Sequence, residues 1–402
     1  MRLLMISGDR QVVVGERGPF HAMLREFSRH FERIDVLCPR PAAGVQAVTT
    51  RRIWDKVHFH PAPCGRLGMV NFIFNRGRDL LREQRHHLIV SHDFGWFYTG
   101  LGSAMISRSC GVPYISELHH VPGYPVPANK RERLDFAVAR LYVSWARDKV
   151  LAFRVVNSVE MTVLLRRWKV RENKILVLPS LYIDQKLFHP EQPRPEPDQD
   201  LLFVGRLVNN KGLLTIVDAL AELKRRGLVL SMRFIGKGPM AGALAEQVAR
   251  RGVQDQVTTT AWVRSQEELA DTYRRSRALV CASTCEGGPR VTVEAMACGT
   301  PVISTPVGVM GELIRDGQNG ALAGFEPRSL ADAIERVLRD EAGRAAMGQE
   351  AARAVADFEY GRTIEFYAQG LKDLIGWDRR GGHAAGRGGL SGDRKTPEAT
   401  GR

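Results

Sequence analysis

The chain lacks any apolar run of about 18 residues or more, the length a helix needs to cross a bilayer. It also lacks paired cysteines. Cys38, Cys64, Cys110, Cys281, Cys285 and Cys298 are scattered, with no C-x-x-C spacing and no histidine beside Cys281 and Cys285. That pattern excludes a zinc cage and a disulfide scaffold, and reads as reduced, buried thiols of a cytosolic protein. No zinc finger, RNA-recognition signature or basic heptad helix occurs, which argues against a reader of nucleic acid. The opening MRLLMISGDR has only a short apolar run before Asp9 and Arg10, so a first buried strand is expected rather than an export signal. Basic charge, in contrast, is plentiful. The formal net charge is +14, which suits anionic lipid or phosphorylated substrates. Part of that excess lies in residues 378–402, rich in Gly, Arg and Ser and predicted to be a disordered basic tail.

With 402 residues, 44% hydrophobic and 25% charged, the chain is soluble globular material, longer than one core usually sustains. Short apolar runs such as RLLMIS, IDVLCP, LIVSHD and PYISELH alternate with amphipathic stretches such as FHAMLREFSRHF and RLDFAVARLYVSWARDK. Nearly continuous apolar strands between helices predict parallel sheets covered on both faces. The pattern breaks at HPEQPRPEPDQD, residues 189–200, and restarts at LLFVGR. An α/β protein with two doubly wound domains is therefore expected: 1–188, a linker at 189–200, and 201–358. A further helix at 359–377 is expected to return to the first domain. Ligands of such sheets bind beyond the carboxyl ends of the strands, so the cleft between the domains is the expected site.

Two loops carry the chemistry. In FVGRLVNNKG, Gly205 permits a tight turn and Arg206 and Lys211 flank a loop that opens a helix, where the helix dipole and two cations favour an anion. A pair of solvated surface cations fits this loop alone equally well. In CEGGPRVTVEAMACGTP, Glu286 lies in a loop and Glu294 in the first turns of a helix that Gly299 and Pro301 end. Gly287 and Gly288 let the backbone approach a ligand, and the two carboxylates can accept hydrogen bonds from sugar and ribose hydroxyls. Compensation of the helix dipole explains Glu294 taken alone.

GRLVNNKG, STCEGGPRVTVEAMACGTPVIST and GELIRDGQNG together resemble the C-terminal domain of glycosyltransferase family 4. Three spaced motifs in order are far more specific than one glycine loop. The resemblance implies the GT-B fold, two Rossmann-like domains facing a cleft, and a retaining, metal-independent transfer from a nucleotide-diphosphate sugar of UDP, GDP or ADP type, without a cofactor. It implies Arg206 and Lys211 on the donor diphosphate, Glu286 near the hydroxyls of the transferred sugar and Glu294 on the ribose. Gly236 and Gly238 match a loop near the nucleotide, and Trp262 and Val263 fall where the base is met.

In the first domain, PYISELHHVPGYP resembles the strand end whose histidine contacts the donor sugar. Counting from Pro113 gives His119, and a one-residue slip gives His120. SGDRQVVVGERGPF stands where the family has a glycine loop close to donor phosphate and acceptor, but Gly15 and Gly18 are separated rather than paired. LPSLYID likewise replaces the Asn-Gly turn common before the family's linker. His92 and Asp93 serve either the acceptor or the cap of the following helix. The basic, aromatic stretch NKRERLDFAVARLYVSWARDKVLAFR reads equally as a core helix or as a helix lying on an anionic membrane surface. The expected partners are a nucleotide sugar and a glycan or lipid-linked acceptor, with cell-surface polysaccharide or glycolipid synthesis as the setting. A sugar-nucleotide epimerase and a non-catalytic, nucleotide-binding partner subunit are the rival readings.

Overall fold

The computed structural model of the protein describes residues 1–41, 51–378 and 382–383. In the first half, parallel strands β1 (Arg2–Ile6), β2 (Arg33–Cys38), β4 (Val57–Pro61), β5 (Leu88–His92), β6 (Tyr114–Leu118), β7 (Ala152–Val155) and β8 (Ile175–Val177) form one sheet. The short strand β3 (Arg52–Ile53) adds antiparallel to β4 at one edge. The order β3-β4-β2-β1-β5-β6-β7-β8 reverses direction between β1 and β5. Helices α1 (Pro19–His30), α2 (Met69–Gln84), α3 (Tyr98–Cys110), α4 (Lys130–Ala146) and α5 (Glu160–Arg167) connect the strands. Residues of β1, β5 and β6 are almost all buried, because alternate side chains enter apolar clusters on opposite faces of the sheet.

The second half repeats the plan with β9 (Gln199–Val204), β10 (Met232–Ile235), β11 (Val257–Thr260), β12 (Ser276–Cys281), β13 (Val302–Ser304) and β14 (Ala321–Leu322). All pair in parallel in the order β11-β10-β9-β12-β13-β14, reversing between β9 and β12. Helices α6 (Leu213–Arg225), α7 (Ala241–Arg251), α8 (Gln266–Arg274), α9 (Arg290–Ala297), α10 (Met310–Leu313), α11 (Pro327–Arg339) and α12 (Glu341–Ala354) cover it. The expected pair of doubly wound α/β units is thus present.

Residues 189–198 carry no helix or strand, yet they are held. The Arg194 guanidinium donates to Gly299 O at 2.7 Å and Ser276 O at 2.8 Å, and Arg274 donates to His189 O at 2.9 Å. Helix α13 (Tyr360–Leu374) then packs on α1, where the Tyr367 and Phe27 rings lie 4.9 Å apart and Tyr360 OH donates to Ala22 O. Apart from Asp378 and the Gly382–His383 strand that pairs with Trp377–Asp378, the basic tail lies outside the described residues.

Candidate active site

A reversal of strand order leaves a crevice at the carboxyl ends of the two strands involved, because their following connections run to opposite faces. Both sheets present that crevice to a single cleft of about 810 Å³. Its lining draws on the loops after β1 and β5 on one side and after β9 and β12 on the other.

On the second-domain side, Gly205 N–H donates to Ile235 O at 2.9 Å and Leu207 N–H to Lys237 O at 2.9 Å, which fixes the loop carrying Arg206. Gly212 turns the chain into α6 with φ +64°, and a β-carbon there would lie 2.0 Å from Ala282 O. Only glycine meets both demands. That approach docks the loop after β9 on the one after β12: Thr284 N–H donates to Asn210 O at 2.8 Å, and the Asn210 amide to Cys285 O at 3.0 Å. The consequence is an ion pair between Lys211 Nζ and Glu286 Oε1, with both side chains largely buried. Ser283 Oγ lies 3.4 Å from the same carboxylate oxygen. Arg206 lines the cleft, is exposed, and has no ion-pair or hydrogen-bond partner among the described residues. One wall therefore offers an unpaired guanidinium beside a lysine whose partner an anion can replace.

The other wall is built around a buried carboxylate in strand β6. Glu117 Oε2 lies 3.2 Å from Arg154 Nη1, 3.3 Å from His92 Nε2 and 3.6 Å from His119 Nε2, and Glu117 Oε1 accepts from Tyr367 OH. Burial opposes its ionisation, but the Arg154 guanidinium, aided by His92, prevails and holds the carboxyl well below the usual range. Arg154, 1% exposed, also donates to Leu178 O and Pro179 O, both at 2.9 Å, and its guanidinium lies 4.0 Å from the centre of the Tyr367 ring. Arg154 Nη1 is 3.1 Å from His119 Nε2. A guanidinium only donates, so that nitrogen is the acceptor and the His119 proton is on Nδ1. His120 is different: burial lowers its pKa, the Glu286 carboxylate raises it, and Lys211 and Arg206 lower it. It stands in the field of the opposite wall.

The expected residues divide accordingly. Arg206, Glu286, Gly288, His92, His119 and His120 line the cleft. Gly287 forms a domain contact, since a β-carbon on it would lie 2.4 Å from His119 O. Gly236 and Gly238 allow close packing onto the backbone of Gly205 and Leu207, where β-carbons would fall 1.8 Å and 2.2 Å from the carbonyl oxygens. Glu294 is buried in α9, accepts from Tyr273 OH at 3.0 Å, and has its pKa raised by burial. Val263 is buried, whereas Trp262 is exposed. Gly15 and Gly18 lie outside the cleft lining: they end a 3-10 turn and cap α1, and the lining contribution of this segment is Ser7, Gly8 and Asp9. Asp93 also lines the cleft, but its carboxylate takes four hydroxyls, from Ser91, Thr99, Ser116 and Tyr142, at 2.5–2.7 Å. Burial still raises it to about 6.

Sequence reading missed Glu117, Arg154 and Tyr367, together with Arg290, which lines the cleft from the first turn of α9. The one available signal was a glutamate and an arginine each standing inside an otherwise apolar strand.

Two doubly wound sheets facing across a cleft, with cations at one crevice, place the chain in the GT-B fold class. Residues 184–354 match the family described as glycosyl transferases group 1, and residues 20–180 match the glycosyl transferase 4-like domain. The chain belongs to this glycosyltransferase family and is a nucleotide-sugar glycosyltransferase. It is 34% identical over 343 residues to a D-inositol 3-phosphate glycosyltransferase of Pseudarthrobacter chlorophenolicus, covering 79% of this chain and 78% of that protein. Sucrose-phosphate synthase from Thermosynechococcus elongatus has the same fold, with a TM-score of 0.75 at 20% identity over 93% of this chain and 98% of that one. So has HepE from Anabaena, solved in complex with UDP-glucose, with a TM-score of 0.69 at 19% identity over 93% and 100%. The family resemblance and the expected fold are both borne out.

Proposed function

We propose that the protein is a retaining transferase, acting without a metal, that moves a hexosyl unit from a nucleotide-diphosphate sugar to a hydroxyl of a glycan or lipid-linked acceptor. Cell-surface polysaccharide or glycolipid synthesis at the inner face of the membrane is the setting this reading gives it. The carrying observation is the unpaired Arg206 beside the Lys211–Glu286 pair at the crevice after β9 and β12. A donor diphosphate entering there is met by Arg206 and draws Lys211 from Glu286. The carboxylate thus released accepts a hydroxyl of the transferred sugar. As the bond to the anomeric carbon breaks, negative charge grows on the departing diphosphate, and Arg206 and Lys211, drawn onto it when the donor bound, stabilise that charge. Glu294 receives the ribose, and the backbone at Trp262 and Val263 receives the base. Gly205, Gly236 and Gly238 keep the phosphate loop closely packed. The acceptor hydroxyl attacks from the face the diphosphate leaves, and a departing phosphate oxygen takes its proton. His119, with Nδ1–H available, or His120, in the field of Glu286, contacts the sugar from the first domain.

Thermal stability measured with UDP, GDP and ADP tests the donor site and names the base. A ligand at about a hundred times its dissociation constant adds roughly 2.7 kcal/mol. The expected result is a shift with one nucleotide that disappears in Arg206→Ala/Lys211→Ala. No shift with any of the three defeats the reading. Turnover of donor without acceptor reassigns the chain to epimerisation.

A further inference from the structure

Arg154 and Glu117, 1% and 2% exposed, form a buried ion pair whose hydrogen bonds are not those of a pair kept for stability alone. A guanidinium carries five N–H donors. The two on Nη2 go to Leu178 O and Pro179 O, which moor the group to the chain after β8. Nη1 lies 3.2 Å from Glu117 Oε2 and 3.1 Å from His119 Nε2. Nε is buried and has no partner. An unmet buried donor costs free energy, so a purely structural pair would have used it. Instead that donor is left over, while one on Nη1 is directed to a histidine at the cleft wall. His119 is exposed, and its Nδ1 has no hydrogen-bond partner among the described residues.

His119 Nε2 has two neighbours with opposite demands. Arg154 can only donate to it, which places the ring proton on Nδ1. The Glu117 carboxylate, with Oε2 at 3.6 Å, can only accept, which would place that proton on Nε2. Which neighbour prevails depends on how well the carboxylate is satisfied elsewhere. Oε2 has Arg154, whereas Oε1 has a single donor, the hydroxyl of Tyr367. His92 Nε2 is 3.3 Å from Oε2 but makes no hydrogen bond. Without the Tyr367 hydroxyl, a buried carboxylate oxygen would lack a donor, and a proton on His119 Nε2 would relieve it. The Tyr367 ring also covers the guanidinium, 4.0 Å from its carbon to the ring centre, and is itself held in α13 against Phe27.

We infer that Tyr367 is a positioning residue for the transfer: by satisfying Glu117 it leaves Arg154 to hold His119 Nε2, and so presents His119 Nδ1–H to the donor sugar. This rests on the transferase reading, and on His119 rather than His120 as the sugar contact. The last helix of the chain thereby sets the tautomer of a histidine in the first-domain wall, and tautomer decides which ring nitrogen can donate.

Nitrogen-15 NMR of the histidine rings in the full chain reads that tautomer directly at pH 8, above the ordinary histidine range, with His119→Gln identifying the signals. His119 is expected to be the Nδ1–H form in the wild type. The same form is expected in Phe27→Leu, which loosens the packing of α13 but keeps the hydroxyl. In Tyr367→Phe, which keeps the ring and loses the hydroxyl, the Nε2–H form is expected to become the major one. Transfer to water, read as glucose released from UDP-, GDP- or ADP-glucose, supplies the kinetic counterpart. Tyr367→Phe is expected to lower kcat roughly tenfold and to leave the donor KM within about twofold, as for loss of an interaction made in the transition state. An Nε2–H tautomer in the wild type overturns the inference, as does a tautomer that Tyr367→Phe leaves unchanged. An equal change in Phe27→Leu overturns it too, since loosened packing rather than the hydroxyl is then the cause. A changed tautomer with wild-type kcat and KM overturns the positioning role. The nucleotide-induced thermal shift separates the two readings. A shift in both proteins with no tautomer response defeats this inference alone, and no shift in the wild type, with the tautomer still answering to Tyr367, defeats the donor assignment alone.

Discussion

Lys211 and Glu286 neutralise one another in the free chain, so neither reveals its role by removal alone. Lys211→Met leaves a largely buried carboxylate without its counterion, and about 2 kcal/mol of stability is expected to go with it. Adding Glu286→Gln is expected to restore stability, read as the denaturant midpoint, but not turnover. Arg206 has no such partner, so Arg206→Ala is expected to leave stability within about 0.5 kcal/mol. Its kcat is expected to fall roughly 100- to 1,000-fold, as for loss of one preorganised charge-stabilising donor. The first-domain wall behaves differently. Arg154→Leu strands Glu117 in the core, and a loss of about 3 kcal/mol at pH 7 is expected. Glu117 is held below its usual range, so its contribution is complete above that range and fades only as pH falls through the lowered pKa. In Arg154→Leu burial is left without the guanidinium that opposes it and raises the Glu117 pKa, so the stranded carboxyl takes up a proton as pH falls, and the difference between wild type and Arg154→Leu should be largest at pH 8 and shrink toward acid pH, as melting curves will show. The residues of the second-domain wall were legible because they lie close together in sequence within spaced motifs. Glu117 was not, because its partners Arg154 and Tyr367 stand 37 and 250 residues away.

Among the elements, the turn into α6 is the most demanding. Gly212→Ala combines a left-handed backbone with a β-carbon 2.0 Å from Ala282 O, so the loops after β9 and β12 must separate. A loss of at least about 2 kcal/mol is expected, together with loss of the nucleotide-induced thermal shift. Gly252→Ala provides the control: its φ of +66° is similar, but nothing lies within 4 Å of the added carbon, so it should cost only about 1 kcal/mol and leave the shift intact. Strands and helices were readable from periodicity, since a buried parallel strand is an apolar run and its connecting helix carries a stripe of period 3.6. Gly15 and Gly18 show the limit of that reading. Glycine marks a loop, but the cavity is met by Gly8, one turn nearer the strand end.

At the scale of the whole molecule, the two domains meet through a few polar contacts. Glu312 accepts from Ser158 Oγ and Val159 N–H, both at 2.7 Å, and Glu160 accepts from Gly308 N–H at 2.8 Å. Burial raises the Glu160 pKa to about 7, against the hydrogen bond from Gly308 and with help from Glu312. An acid whose pKa is raised in the closed arrangement stabilises it fully below the ordinary carboxyl range and progressively less as pH rises toward the raised value. Between pH 5 and 8 the closed arrangement is expected to lose roughly 2 kcal/mol relative to an open one in which Glu160 is hydrated. Small-angle scattering should show the radius of gyration growing over that interval in the wild type and staying constant in Glu160→Gln.

The sequence by itself determined the α/β class, the two repeats of a doubly wound plan and the motif residues of the second-domain wall, because periodicity and short spacing are local properties of a chain. Tertiary structure alone decided strand order, and with it the two crevices that face one another. It also decided the burial of Glu117 among Arg154, His92 and Tyr367. Each of these depends on which distant segments become neighbours once the apolar faces are buried, and no local pattern records that.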